Sequence, residues 1–368
     1  MKIAIIEPYY TGSHTSWIEG IQKYSSHDIK VFSLPGRHWK WRMQGACVTL
    51  ADEFIKSNFT PDLILVTDML HLPVFLSLTK EITHSIPTVI YFHENQITYP
   101  LSERDSDVKN SRDNHYGYIN YLSSLTADHI LFNSNFHMDS YLQALPHFLQ
   151  SFPDYNNVET VHNIKEKSSV LYIGMDLKKF DNCKINNDNH IPVILWNHRW
   201  EYDKNPDDFT NILLQLEKKN IPFELVIIGN AANNIPECFA ILERKLKERI
   251  IKFGSAQTFK EYAQWLHRAD IIPVTSNQDF FGISLMEAMY CKTIPLLPER
   301  LTFPELIDMH KFKNYFYTKN DMLEKLIYFC KKFAEIDRND FFLIAQQYDW
   351  SNMISVYDET FEKIAFTY

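Results

Sequence analysis

DIIPVTSNQDFFGISLMEAMYC, residues 270–291, contains a complete strand, turn and helix. Asp270–Thr275 is a short apolar, β-branched run, Ser276–Gly282 a polar turn, and Ile283–Cys291 has helical length. Two acids, Asp279 and Glu287, are separated by seven intervening residues across that turn. Gly282 permits close backbone approach where the helix N-terminus offers free N–H groups and the positive end of its dipole. A phosphate can sit there while the carboxylates accept sugar or ribose hydroxyls. Taken singly, each acid has an ordinary reading, Asp279 as an acid near a helix start and Glu287 as a surface acid. Phe280 and Phe281 could equally be core.

The same rhythm fills the chain. Lys2–Glu7, Ile29–Leu34, Asp62–Thr67, Thr88–His93 and His129–Asn133 read as strands, with helical segments such as Ser13–Tyr24, His71–Glu81 and His115–Thr126 between them. After a polar, Asn-rich stretch over 181–190, the pattern restarts with Pro192–Trp196, Phe223–Ile228, Ile250–Phe253, Asp270–Thr275 and Thr293–Leu297. The end is helical from about Asn320 to about Thr367. Alternating β and α with strands apolar on both sides predicts α/β domains built on parallel sheets. The expected organisation is a first domain over 1–180, a linker over 181–190, a second domain over 191–345 and a final helix over 346–368. Two such domains in tandem imply a cleft, with ligands at the carboxyl ends of the strands.

Composition removes several functions. The nine glycines never come closer than eight positions, so neither a G-x-G-x-x-G turn nor a G-x-x-x-x-G-K-[ST] loop exists. Any nucleotide is bound without a Gly-rich loop. A net charge of −9 gives no global reason for a nucleic-acid partner, although a local basic patch remains compatible with it. The five cysteines lie at least 39 positions apart, which rules out C-x-x-C zinc or redox chemistry and suggests reduced thiols in the cytoplasm. The N-terminus has no signal h-region and no apolar run approaches a membrane span, so no membrane partner is expected.

Three further stretches carry candidate chemistry. NHRWEYDKNP, residues 197–206, follows the first strand of the second domain and places Arg199 and Lys204 at strand ends. A departing nucleoside diphosphate gathers negative charge that such cations stabilise. Salt-bridging by Glu201 and Asp203 is the ordinary reading of that loop. In the first domain a strand ends in His93-Glu94-Asn95-Gln96, not the H-E-x-x-H of a zinc protease. His93 could hydrogen-bond a sugar hydroxyl, assist proton transfer, or be purely structural. Gly12, at the end of the first strand, makes a second candidate anion cradle. Finally, GRHWKWRM, residues 36–43, reads as a basic–aromatic loop, with three fixed positive charges, no acid and two tryptophans. Such a loop suits RNA phosphates and stacked bases, or else snorkelling side chains. Tyr116, with Arg112 upstream, could extend that surface.

Four segments, IIEPYYTGSH (5–14), LPGRHWKWRM (34–43), YFHENQITYP (91–100) with RDNHYGY (112–118), and FNSNFHMDSYL (132–142), closely resemble the N-terminal domain of the tRNA-queuosine α-mannosyltransferases. NHRWEYDKNPDDF (197–209) and DFFGISLMEAMYC (279–291) resemble the same family. They are also similar to the wider retaining glycosyltransferase family 4, which has the two-Rossmann GT-B fold. The resemblance runs from residue 1 to about Trp350.

It implies transfer of mannose from GDP-mannose, with retention, to the cyclopentenediol of queuosine at the wobble position of a tRNA of the tRNA-Asp type, with GDP as product. No metal or other cofactor is implied. Arg199 and Lys204 would hold the donor diphosphate with Gly12 close by, Glu287 the ribose, and Asp279 with the Phe281–Gly282 backbone the sugar. Ser276 and Ile283 would belong to the same donor set. His93 would sit near the transferred sugar and the acceptor oxygen. Arg37, His38, Trp39, Lys40, Trp41, Arg42, Glu94, Asn95, Arg112 and Tyr116 would meet the RNA. The wider family usually carries Glu where this chain has Asp279, which shortens the carboxylate by about a methylene. The last helix would cross back onto the first domain. The competing readings are a transferase acting on an envelope glycan or glycolipid, and a non-catalytic RNA- or sugar-nucleotide-binding protein.

Overall fold

The computed structural model describes residues 1–102, 114–229 and 235–367. Strands β1 (Lys2–Tyr10), β2 (Asp28–Pro35), β3 (Leu63–Thr67), β4 (Thr88–Phe92), β5 (His129–Phe132) and β6 (Ser168–Val170) form one sheet. Their order is β2-β1-β3-β4-β5-β6, and every pairing is parallel. Strands β7 (Val193–Trp196), β8 (Glu224–Ile228), β9 (Ile250–Gly254), β10 (Ile271–Pro273), β11 (Ile294–Pro298) and β12 (Phe316–Tyr317) form a second parallel sheet, in the order β12-β11-β10-β7-β8-β9. Strands β3, β4, β7, β10 and β11 are buried at every residue, as strands covered by helices on both faces must be. The sequence reading omits β6 and β12. Both are too short, and β6 (SSV) too polar, to show as an apolar run.

The strand orders fix where ligands belong. In the second sheet the chain runs from β7 toward β9 on one side and from β10 toward β12 on the other. The loops after β7 and β10 therefore leave from adjacent strand ends at the point where the order reverses, the usual ligand position in doubly wound sheets. In the first sheet the corresponding neighbours are β1 and β3.

The chain forms two units, Met1–Asp176 with the segment from Trp350 onward, and Leu177–Asp349. Each has its own apolar core. The crossover lies at Asp176–Leu177, upstream of the Asn-rich stretch read as a linker. Residues 181–190 belong to the second unit because the Asn189 amide donates to the Arg268 carbonyl (2.8 Å) and the Asp270 carboxylate (2.7 Å). Helix Trp350–Thr367 packs into the first unit as expected. The Trp17 indole N–H donates to the Tyr357 hydroxyl (2.9 Å), which donates to the Tyr172 carbonyl (2.9 Å). Asp358 accepts from Ser25 and Ser26. Gly20 and Gly174 leave room for the Trp350 ring, which a Cβ at either position would overlap.

One local expectation needs correcting. GRHWKWRM is not a loop throughout, because Trp39 opens the 18-residue helix Trp39–Lys56. Met43, Ala46, Cys47, Leu50, Ala51 and Phe54 supply its buried face at three- and four-residue spacing, a period that the charges at its start obscure.

Candidate active site

In the second unit the two singled-out loops meet. Asn205, with φ +55°, turns the chain after β7, and its side chain caps the helix Pro206–Lys218 by accepting from the Asp208 N–H. That turn carries Lys204 inward. Its side chain is 11% exposed, and Nζ lies 3.0 Å from Asp279, 3.2 Å from Asp203 and 2.7 Å from the Gln278 carbonyl, which accepts. Asn277 and Gln278 donate their backbone N–H groups to the Asp203 carbonyl at 2.7 and 3.2 Å, so the loops are stitched together. Arg199 is half exposed and lies 3.4 Å from Glu201 and 3.3 Å from Asp203. The salt-bridged reading of the loop is therefore correct as geometry. Two cations face three carboxylates, so this cluster alone is not a strong anion trap. Additional attraction for an anion must come from the neighbouring backbone.

That backbone is the start of helix Ile283–Tyr290. Gly282 caps it at φ +88°, a conformation open chiefly to glycine. Its first turn is tied to the loop after β7: the Asn197 amide donates to the Ser284 carbonyl (2.8 Å), and the Ser284 hydroxyl lies 2.7 Å from His198 Nδ1. Burial pushes the His198 imidazole down to about 4, against the opposing pull of Asp279, so it is neutral at pH 7. Among the described residues, Asn197 Oδ1, His198 Nε2, Ser276 Oγ, Gln278 Nε2 and Asp279 Oδ2 are buried without a hydrogen-bond partner. Five such atoms at one set of strand ends are the signature of a polar ligand site, since isolated orphans are costly.

Glu287 is a half-buried acid and not the surface acid of the simplest reading. Its carboxylate accepts from the Tyr262 hydroxyl at 2.6 Å. Burial holds Glu287 above the usual carboxylate range despite that bond and the charge of Lys179, and it holds the Tyr262 phenol well above its ordinary value. Phe280 and Phe281 are core, the latter edge-on to Tyr348 (5.1 Å between centroids). Ile283 opens the helix and is half buried. Tyr262 was not singled out from the sequence; it lies on a separate helix (Phe259–Arg268), and its spacing gives no signal.

The first unit gathers a second polar cluster at its own strand ends. Glu7 accepts from the Tyr9 N–H (2.7 Å) and lies 2.8 Å from His14 Nδ1. Burial opposes a charge on His14, but Glu7, then Asp68 and Glu94, raise it to about 9. Asp68, following β3, accepts from the His93 N–H (2.8 Å), and burial outweighs the His14 charge to raise its carboxyl to about 8. The His93 ring packs 4.2 Å from that of His14, and Trp17 and Tyr91 pack against it too. Burial, then the charge of His14, hold His93 well below the ordinary value, and its Nε2 is buried without a partner among the described residues. A neutral, weakly basic imidazole suits hydrogen bonding to a hydroxyl better than general-base catalysis. Glu7, His14 and Asp68 were missed as a group: Glu7 lies within β1, His14 in the first turn of the helix Gly12–Tyr24 and Asp68 just after β3.

The remaining candidates fall out as follows. Gly12 is exposed, with φ +53° and open space beside it, at the start of helix Gly12–Tyr24. Glu94 accepts from the Gln96 amide, whereas Asn95 is buried within its own turn, accepting from the Ile97 and Thr98 N–H groups. Arg37 and His38 are exposed, and the Arg42 Nε–H donates to the Pro35 carbonyl. Trp39 packs on Tyr116 (5.0 Å between centroids), with Lys40 Nζ over both rings, but Tyr116 itself is buried beneath Trp39 and adds no open surface of its own. Arg112 lies outside the described residues. Among the described residues no group of three or more His, Cys, Asp or Glu is arranged around a metal position, and no helix is long and apolar enough to cross a membrane.

Residues 2–175 match the family model for the tRNA-queuosine alpha-mannosyltransferase N-terminal region, and residues 178–333 match the glycosyl transferases group 1 model. The tRNA-queuosine alpha-mannosyltransferase of Drosophila melanogaster is 32% identical over 338 residues, covering 89% of this chain and 87% of that protein. Sucrose-phosphate synthase from Thermosynechococcus elongatus aligns over the whole of both chains with a TM-score of 0.72 at 12% identity. The Anabaena HepE protein in complex with UDP aligns over 99% of this chain and all of its own with a TM-score of 0.66 at 17% identity. At such identities the structures speak to the fold, which is the two-domain GT-B architecture of glycosyltransferases. On the combined evidence of sequence and fold, the chain is a glycosyltransferase and belongs to the tRNA-queuosine alpha-mannosyltransferase family.

Proposed function

We propose that this enzyme moves mannose from GDP-mannose, with retention of configuration, to the cyclopentenediol of queuosine at the tRNA wobble position, in a tRNA of the tRNA-Asp type. It does so in the cytoplasm and without a metal ion or other cofactor. The observation that carries the acceptor assignment is the family match over residues 2–175, which spans the Gly12, His93 and Trp39–Tyr116 segments. The donor assignment is supported by the unpartnered polar atoms grouped at the ends of β7 and β10.

The chemistry asked of these residues is modest. The acceptor hydroxyl oxygen bonds to the anomeric carbon and gives up its proton, while GDP leaves with the electron pair of the broken C–O bond. Negative charge then builds on the diphosphate. Arg199, Lys204 and the free N–H groups of helix Ile283–Tyr290 are the donors available to stabilise it. Asp279, whose Oδ2 has no partner among the described residues, accepts from sugar hydroxyls. Glu287, positioned by Tyr262, accepts from the ribose.

Radiolabelled GDP-mannose incubated with tRNA from queuosine-replete or queuosine-deficient cells tests the proposal. Label entering only the replete tRNA, undiminished after dialysis against a chelator, supports it. Label entering a glycan or lipid fraction and no tRNA would transfer the activity to an envelope acceptor.

A further inference from the structure

The helix Trp39–Lys56 separates two tryptophans that the sequence places side by side. Positions two apart on a helix point roughly 200° from each other. Trp39 turns inward onto Tyr116, while Trp41 is 62% exposed. An exposed tryptophan on a helix ordinarily samples several rotamers, but here one turn further on stands Gly45. A Cβ there would lie 2.6, 2.8 and 3.0 Å from three carbons of the Trp41 indole, so the ring lies against the bare backbone of Gly45. Glycine inside a helix costs stability relative to alanine, and nothing about φ requires it here, since Gly45 is not among the positive-φ residues. Its bare Cα serves to seat the indole.

The chain segment that carries this ring is one-signed. From Ile29 to Ala51 the chain contains Lys30, Arg37, Lys40 and Arg42 and not one acid. Arg37 is exposed just ahead of the helix, and the first turn carries no acidic residue. A protein of net charge −9 thus keeps an acid-free basic segment around one pre-seated aromatic residue.

We propose that Trp41, seated on Gly45, is a stacking platform for an unpaired base of the tRNA, with Arg37 and Arg42 meeting the adjacent phosphates. The inference rests on the tRNA reading above and adds to it a specific aromatic contact. Stacking tolerates any base, so the platform contributes affinity for an RNA loop and not recognition of the modified nucleoside. Arg37 contributes a salt-dependent term.

The test compares wild type with Trp41→Ala, Trp41→Phe and Gly45→Ala, and with Val48→Ala as a control two turns along the same helix, where the side chain is 59% exposed. Measured quantities are the Kd for queuosine-containing tRNA, the KM and kcat of mannosyl transfer to it, and the melting temperature. Trp41→Ala is expected to raise Kd and KM by roughly 5- to 100-fold with kcat nearly unchanged, and Trp41→Phe to restore much of the loss. Gly45→Ala displaces the ring and weakens tRNA binding while the melting temperature holds or rises. Val48→Ala changes neither. If wild type binds the tRNA and Trp41→Ala binds it equally well, the platform is overturned and the proposed function stands. If wild type neither binds nor modifies the tRNA, the proposed function falls and the platform falls with it. Capture by anionic vesicles that Trp41→Ala abolishes, with tRNA binding unaltered, would reassign this face to a membrane surface and overturn the proposal.

Discussion

Lys204→Met removes a buried cation that joins the two loops of the donor site. Its ammonium bridges Asp203, which is fully buried, and Asp279, and it also donates to the Gln278 carbonyl. Losing one partner of a buried ion pair costs about 3–5 kcal/mol. Here Arg199 still reaches Asp203 at 3.3 Å and Asp279 is 14% exposed, so about 2–3 kcal/mol is the reasonable expectation. For a unit of this size each kcal/mol shifts the melting point by about 2–4 °C, which gives a fall of roughly 5–10 °C by calorimetry. Asp279→Asn in the same background removes one of the uncompensated charges and recovers part of the loss. GDP binding, followed by titration calorimetry, should weaken by roughly 10- to 100-fold, the worth of a charge-assisted hydrogen bond. A Lys204→Met protein that melts lower but binds GDP as wild type would make the lysine purely structural. One that melts and binds as wild type would refute both halves of the reasoning.

Arg199→Ala should lose about 10²- to 10³-fold in kcat/KM while stability changes by less than about 0.5 kcal/mol, because its ion pairs involve a half-exposed guanidinium; unaltered turnover would remove it from the leaving-group site. Glu287→Gln is expected to raise the donor KM by about tenfold, and Tyr262→Phe to raise it less, since the tyrosine acts through Glu287. An effect of Tyr262→Phe that persists in a Glu287→Gln background would contradict that order. His14, raised to about 9, contributes stability fully present below its unfolded value of 6.5 and lost as pH rises through about 9. Asp68, raised to about 8 in a cluster with Glu7, Glu94 and His93, keeps its proton in the native state, so stability also falls as pH climbs toward 8. Urea denaturation should show stability falling between pH 7 and 9, at up to about 1.4 kcal/mol per unit for each group. Asp68→Asn should flatten the lower part of that fall, and a flat wild-type profile would sink the charge assignment.

Much of this molecule is legible in its sequence, and the exceptions have physical causes. Ten of the twelve strands among the described residues show as apolar, largely β-branched runs, most clearly β3, β4, β7, β10 and β11, because parallel strands buried on both faces must be apolar throughout. β6 and β12 escape because two or three residues make no pattern. Helix Trp39–Lys56 escapes at its start because an unusual cluster of charges and rings there outweighs an apolar period that begins only at Met43. In the second unit, Lys204, Asp279 and Glu287 were within reach because one strand–turn–helix unit and one post-strand loop carry them all. Lys204 also pairs with Asp203, as the ordinary reading of its loop allows, and with Asp279, which no spacing reveals. Tyr262 reaches Glu287 from another helix, and Asp68 joins the Glu7–His14 pair because β3 lies beside β1. The β1–β3 neighbourhood is a reversal point of the strand order that no local motif announces, whereas Glu7 and His14 are only seven positions apart.

The central claim is tested most directly by mass spectrometry of the nucleosides of queuosine-containing tRNA after incubation with the protein and GDP-mannose, with UDP-sugars in parallel. The account predicts a hexose added to queuosine from GDP-mannose, absent with Arg199→Ala. Queuosine left unmodified with every donor, by protein that binds GDP normally, would contradict it.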